Sequence, residues 1–172
     1  MKIKSLLLIV FSFLISTNIL GQEKKRKFDI HTLAFYNLEN LFDTINDVNK
    51  NDEASPIMEI KFNRSGIYKE KVSNMAKVIS EIGYDFTNRP PTIIGICEVE
   101  NRKVVEDLIA DEKLSKYNYG IVHYDSPDRR GIDVGLLYNK DIFEVTNSNS
   151  HELYITYNNT SDRSYTRDQL VV

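Results

Sequence analysis

The sequence predicts an α/β fold: a mixed sheet covered by helices on one side and packed against a second sheet on the other. Three observations point there. Strand-like and helix-like segments alternate through the front of the chain, and from Tyr117 onward strands follow one another through short turns. The run Thr92 to Cys97 is short, apolar and β-branched and follows Pro90 and Pro91, which reads as a strand buried on both faces. The chain has 172 residues, 41% hydrophobic and 27% charged, which suffices for one domain with a real core.

The first residues stand apart from that domain. Met1 to Lys4 is a short basic start, Ser5 to Leu20 is nearly all apolar, and Gly21 precedes the polar run from Gln22. This is the pattern of a signal peptide over residues 1–21, so the protein is expected to be exported, periplasmic or secreted, without stable membrane association after cleavage. An uncleaved anchor is the other reading. Residues 22–29 form a polar lead-in, and residues 30–172 form the domain. The whole chain carries a formal charge of −3, and losing Lys2 and Lys4 with the leader makes the rest more acidic. A mildly acidic protein has no large basic face for gripping nucleic acid by charge alone. If it handles phosphates, a metal ion is expected to screen them. Cys97 is the only cysteine and cannot form an internal disulfide, so a small buried hydrophobe is its plain role.

In chain order, Ile30 to Tyr36 reads as a well-covered strand ending in Asn37-Leu38-Glu39-Asn40-Leu41-Phe42-Asp43. Thr44 to Ser65 is a long polar loop of the kind that is functional or mobile. Its Asp47-x-Asn49-x-Asn51 mimics a calcium-loop opening, but Asp52 stands where the turn needs Gly, so a solvated acidic loop is expected instead. Over Ile67 to Gly83, Tyr68, Val72, Met75, Ile79 and Ile82 recur at helical spacing, with Gly83 as the stop. Asp85 to Pro91 is a turn. Asn101 can cap a second helix with Val104, Val105, Leu108 and Ile109 buried, running to about Leu114. Further strands are expected at Tyr117–Tyr124, Ile132–Tyr138, Phe143–Thr146, Leu153–Tyr157 and Gln169–Val172, with a polar turn at 125–131.

Chemistry enters at two strand ends. Glu98 sits where the central apolar run stops, the end at which open α/β sheets bind ligands. A solvated Glu at a strand exit is the alternative. If the strands ending at Tyr36 and Cys97 are parallel neighbours joined by the 67–83 helix, Asn37 and Glu98 emerge at the same edge. One amide oxygen and one carboxylate make a poor cage for calcium. They make a good partial shell for Mg²⁺, which keeps waters and takes other ligands from a phosphate. Mn²⁺ would serve in the same place.

Tyr36-Asn37-Leu38-Glu39-Asn40-Leu41-Phe42-Asp43, Ile96-Cys97-Glu98-Val99-Glu100-Asn101 and Arg130-Gly131-Ile132-Asp133-Val134-Gly135-Leu136-Leu137-Tyr138 resemble segments of the endonuclease/exonuclease/phosphatase family. The resemblance runs from about residue 30 to the end. It implies a DNase I-like four-layered α/β sandwich and metal-dependent hydrolysis of a phosphomonoester or phosphodiester, nucleic acid among the substrates. It also implies metal ligation, and so a catalytic role, for Asn37 and Glu98. The family's Asp-x-Asn motif and its later Asp and His have no match here; Asp168 and His151 lie in the wrong contexts. Arg130 is a candidate contact to a substrate phosphate, with a solvated turn arginine as the alternative. Asp133 either orients groups in the site or pairs with Arg130, and Glu39 either adds an outer oxygen or is exposed.

Since the sequence stops inside the apolar run Leu170-Val171-Val172, the expectation is an incomplete sandwich, the front portion of a longer enzyme, inactive alone. The competing reading is a non-catalytic exported binding module on the same scaffold.

Overall fold

The structure is a computed structural model that describes residues 28–48, 50, 52–158 and 160–172. The expected signal peptide, most of the lead-in, and Asn49 and Asn51 of the calcium-like motif lie outside the described residues. The elements are β1 (Leu33–Leu41), α1 (Pro56–Glu59), α2 (Arg64–Glu81), α3 (Tyr84–Thr87), β2 (Ile93–Val99), α4 (Arg102–Ala110), β3 (Tyr119–His123), β4 (Asp133–Asn139), β5 (Asn149–His151), β6 (Ile155–Thr156), β7 (Arg163–Ser164) and β8 (Gln169–Val171). No described helix is long and apolar enough to cross a membrane.

One four-stranded sheet organises the chain, in the order β1-β2-β4-β3. β1 and β2 are parallel neighbours, and α2 lies in the crossover between them, as the sequence leads one to expect. β4 runs antiparallel to both β2 and β3. Alternation along the strands sends Leu38, Ile94, Ile96 and Leu137 to one face, where they meet Val72, Ala76 and Ile79 of α2 and Val104, Val105 and Leu108 of α4. This is the main core. Asn101 caps α4 as its sequence context implies, with Oδ1 accepting from the Val104 N–H at 3.0 Å.

The second face of the sheet is thinly covered. Leu33 is 65% and Phe35 93% exposed, so the first strand is not the well-covered one its composition suggests. Residues 168–172 lie over part of this face and leave a hollow of about 640 Å³ floored by Asn37, Gly95 and Cys97. Two separate two-stranded ladders, β5-β8 and β6-β7, stand where one second sheet was expected. Phe143 to Thr146 is not a strand: the N–H groups of Ile142 and Phe143 both turn back to the Asn139 carbonyl, and pairing resumes only at β5.

Other boundaries move for local reasons. The first long helix starts at Arg64, whose guanidinium folds back onto the Ile60 and Met58 carbonyls, and ends at Glu81. Gly83, at φ +68°, leads into the short α3 rather than a plain turn. α4 stops at Ala110 because the Asp111 carboxylate takes the Lys113 N–H, an alternative to continuing the helix. The acidic loop after β1 is solvated only in part, with Asn46 and Glu53 exposed. Asp52 is buried and accepts from the Asp47 N–H at 2.8 Å, and Ile57 of α1 packs with Phe42 and Ile132 in a second, smaller core.

Candidate functional site

The carboxyl ends of β1 and β2 lie side by side. Asn37 pairs in register with Cys97, so it stands one residue from Glu98 across adjacent strands. At this level both strands break their ladders. On β1 the register jumps from Asn37↔Cys97 to Leu41↔Val99, and Glu39 and Asn40 adopt φ of +50° and +56°. On β2, Cys97 pairs with Val134 and Val99 with Asp133, which leaves Glu98 without a partner at φ +61°. Glu98 is therefore the extra residue of a β-bulge, a device that re-aims a side chain at a strand end. A left-handed conformation is costly for Glu, about 1 kcal/mol or more, and such strain gathers at functional sites.

The surroundings hold this geometry in place. Leu38, Leu41 and Val99 are fully buried on the core side. The Asn37 Oδ1 accepts from the Glu39 N–H at 2.7 Å, an Asx-type turn that fixes the amide. From α2, Lys71 donates through Nζ to the carbonyls of Glu39 at 2.6 Å and Asn40 at 3.0 Å, pinning both left-handed residues. Burial lowers the Lys71 pKa, and the charges of Glu39 and Glu98 pull it partly back. The sequence gives Lys71 away only weakly: it borders Val72 on the buried stripe of a helix whose Lys69, Glu70, Lys77 and Glu81 face water. Asn37 and Glu39 are exposed and Glu98 is half-buried. Cys97 is only half-buried; burial and the Glu98 charge push its thiol pKa up, against the pull of Arg167.

Two residues beyond Glu98, Glu100 opens a buried polar network, of which only Asp133 stands out in the sequence. Glu100 is 1% exposed, and its Oε2 accepts from the Asp43 N–H at 2.7 Å. Burial pushes its pKa up to about 7; Asp43 and Asp52 add to this, while the Asp43 N–H and Lys50 oppose it. Asp133 is also 1% exposed, and its Oδ1 accepts from the Ser126 N–H at 2.8 Å and the Ser126 hydroxyl at 2.7 Å. Burial alone would raise its pKa, but His123, Ser126 and Lys50 outweigh that and the net shift is downward. Lys50 donates to the Glu100 carbonyl at 2.7 Å, Asp125 at 2.8 Å and Asp133 at 3.4 Å. Burial works to lower the Lys50 pKa, and the two carboxylates together raise it. Asp133 thus pairs with Lys50 and His123, whereas Arg130 pairs with Asp128.

Two places offer donors for a divalent ion. His123, Asp125 and Asp133 present ligand atoms within 4.8 Å of one another. The Lys50 ammonium, however, already bonds both carboxylates of that group and supplies its positive charge. At the strand ends, Asn37 offers an amide oxygen held at a fixed angle, and among the described residues nothing donates a hydrogen bond to the Glu98 carboxylate. An oxygen-only set of one amide and one free carboxylate fits a hard ion that keeps several waters. His151 ends β5, and Asp168 accepts from Ser150 on the β5-β8 ladder while lining the hollow floored by Asn37 and Cys97.

A mixed sheet with helices on one face and paired polar groups at its carboxyl edge is the α/β architecture of the DNase I-like class. The chain belongs to the endonuclease/exonuclease/phosphatase family, whose family model matches residues 32–172. Neither the curated proteins nor the solved structures compared with it give a match. Membership supports a hydrolase of the phosphoesterase or nuclease type, in a family that is generally dependent on divalent metal.

Proposed function

We propose that this protein is an exported phosphoesterase or nuclease that hydrolyses phosphate ester bonds by metal-assisted attack of water, with Asn37 and Glu98 holding Mg²⁺ or Mn²⁺. The observation that carries the reading is the pair of irregularities at one level of β1 and β2, which gives up ladder pairing and accepts strained backbone at Glu39, Asn40 and Glu98. When bound, the ion would polarise the phosphoryl oxygen and screen the leaving group. Glu98 contributes the ligand charge, Asn37 a neutral oxygen fixed by the Glu39 N–H, and Lys71 holds the bulge in register. Arg130, exposed in the turn before β4, is the candidate contact to a substrate phosphate. Export rests on the basic start and apolar run of residues 1–21.

Glu98→Gln keeps the shape and removes the charge. It is expected to abolish Mn²⁺ binding and, in the whole protein, metal-dependent phosphoesterase activity, exceeding the roughly 10–100-fold cost of losing a supporting outer group. Wild-type metal affinity and turnover in that variant would remove the assignment.

A further inference from the structure

The arginines of residues 128–168 are not equivalent. Arg129 is engaged by the Tyr157 hydroxyl. Arg163 is taken up by Glu152 and by the rings of Tyr154 and Tyr165. Arg130 and Arg167 instead share one buried carboxylate. The Asp128 side chain is 4% exposed; its Oδ1 accepts from the Arg130 N–H at 2.9 Å and faces Arg130 Nε at 3.4 Å, and its Oδ2 faces Arg167 Nη1 at 3.4 Å. Two guanidinium groups against one carboxylate leave a net positive charge in a chain whose formal charge is −3. Each guanidinium carries five N–H donors, so most of them remain for a ligand.

Arg130 and the chain neighbour of Arg167 each line a hollow that reaches the carboxyl end of β1. Arg130 lines a hollow of about 310 Å³ with Asn40 and Phe42, the residues that follow the irregular stretch of β1, and with Ser55, whose Oγ is buried and makes no hydrogen bond. Asp168, beside Arg167 in the chain, lines the larger hollow floored by Asn37 and Cys97. A guanidinium fork matches the oxygens of a phosphoryl group, which a lone ammonium does not.

We propose that Arg130 and Arg167 form a phosphoryl-binding subsite of this centre and that Asp128 is the positioning residue that orients both. The proposal rests on the phosphoesterase reading above and adds two residues to it, Arg167 and Asp128. Asp128 does not touch the substrate. It spends its two oxygens on two arginines that would otherwise repel each other and point at random.

The test uses inorganic phosphate as the probe, followed by calorimetry at low salt in the presence of Mg²⁺, alongside Mn²⁺ binding measured separately. A charge-assisted hydrogen bond is worth about 1.5–3 kcal/mol, so Arg130→Met and Arg167→Met should each weaken phosphate binding roughly tenfold or more. Arg167→Lys should recover part of the loss. Asp128→Asn should lose phosphate affinity while keeping both arginines, and Asp128→Glu should restore some of it. Mn²⁺ affinity should stay at the wild-type value in all of them, and in turnover of a simple phosphodiester by the whole protein KM should rise while kcat holds. Wild-type phosphate affinity in both methionine variants would overturn the subsite. If Asp128→Asn unfolds, the arginine variants decide the question alone. Unchanged Mn²⁺ binding in Glu98→Gln would instead sink the underlying function, a result separable from the phosphate measurement.

Discussion

Asp133→Asn is the perturbation whose size the structure defines best. The carboxylate is 1% exposed and sits among four partners: the Ser126 N–H and hydroxyl at 2.8 and 2.7 Å, His123 Nε2 at 3.3 Å and Lys50 Nζ at 3.4 Å. An asparagine keeps the oxygen that Ser126 needs. It places either an amide NH₂ or an uncharged oxygen where Lys50 and His123 meet Oδ2. Breaking a buried charged pair by removing one partner costs roughly 3–5 kcal/mol. Lys50 retains Asp125 and the Glu100 carbonyl, so the low end, about 3 kcal/mol, is expected. For a domain of this size that is a fall in Tm of roughly 6–12 °C.

The sign of the pH dependence follows from the downward pKa shift of Asp133. Its folded pKa lies below the unfolded value of about 3.9, so the carboxylate stabilises the fold at every pH above about 4. That contribution fades as pH falls from about 4 through the lowered folded value. The gap between wild type and Asp133→Asn should therefore be full at pH 7 and pH 5 and close on acidification below about 4. Urea melts at several pH values, with the exposed Asp85→Asn as a control, measure it. A difference at pH 7 no larger than the control's, or a gap that widens on acidification, would refute the reasoning.

Other outcomes follow from single contacts. Lys71→Met leaves the Glu39 and Asn40 carbonyls unpinned and should lower stability by about 1–2 kcal/mol in urea melts, discounted because the side chain is partly exposed. Leu108→Ala opens a hole in the fully buried seam of α4 and should cost about 2–5 kcal/mol in the same assay. Asn101→Ala removes the α4 cap and should cost about 1 kcal/mol, read as an equal shift in the urea midpoint times its slope.

The features legible from sequence are those set by local pattern. The apolar run before Glu98, the helical period of α2 and the cap at Asn101 depend on neighbours in the chain, and so does the parallel pairing that follows from a helical crossover. The closeness of Asn37 to the Glu98 end was legible for the same reason: both stand where strand character ends. The irregularities there were not, because Glu39, Asn40 and Glu98 carry no glycine to mark a positive φ. Short edge ladders leave little trace in the sequence, where Phe143 to Thr146 reads as a better strand than β5, because three-residue strands owe their existence to a partner rather than to their own composition. The network of Lys50, Glu100, His123 and Asp133 joins a loop to β3, β4 and the residue after β2, and no spacing rule announces it. Arg167 carries no signal in the sequence for a like reason, since only the folded chain brings it to Asp128.

Manganese bound to crystals of the protein and located by anomalous scattering tests the placement of the metal most directly. The account predicts a peak in the notch between strands β1 and β2, within inner-sphere distance of one Glu98 oxygen and the Asn37 amide oxygen. A peak among His123, Asp125 and Asp133 with Lys50 displaced, or none at saturating manganese, would contradict it.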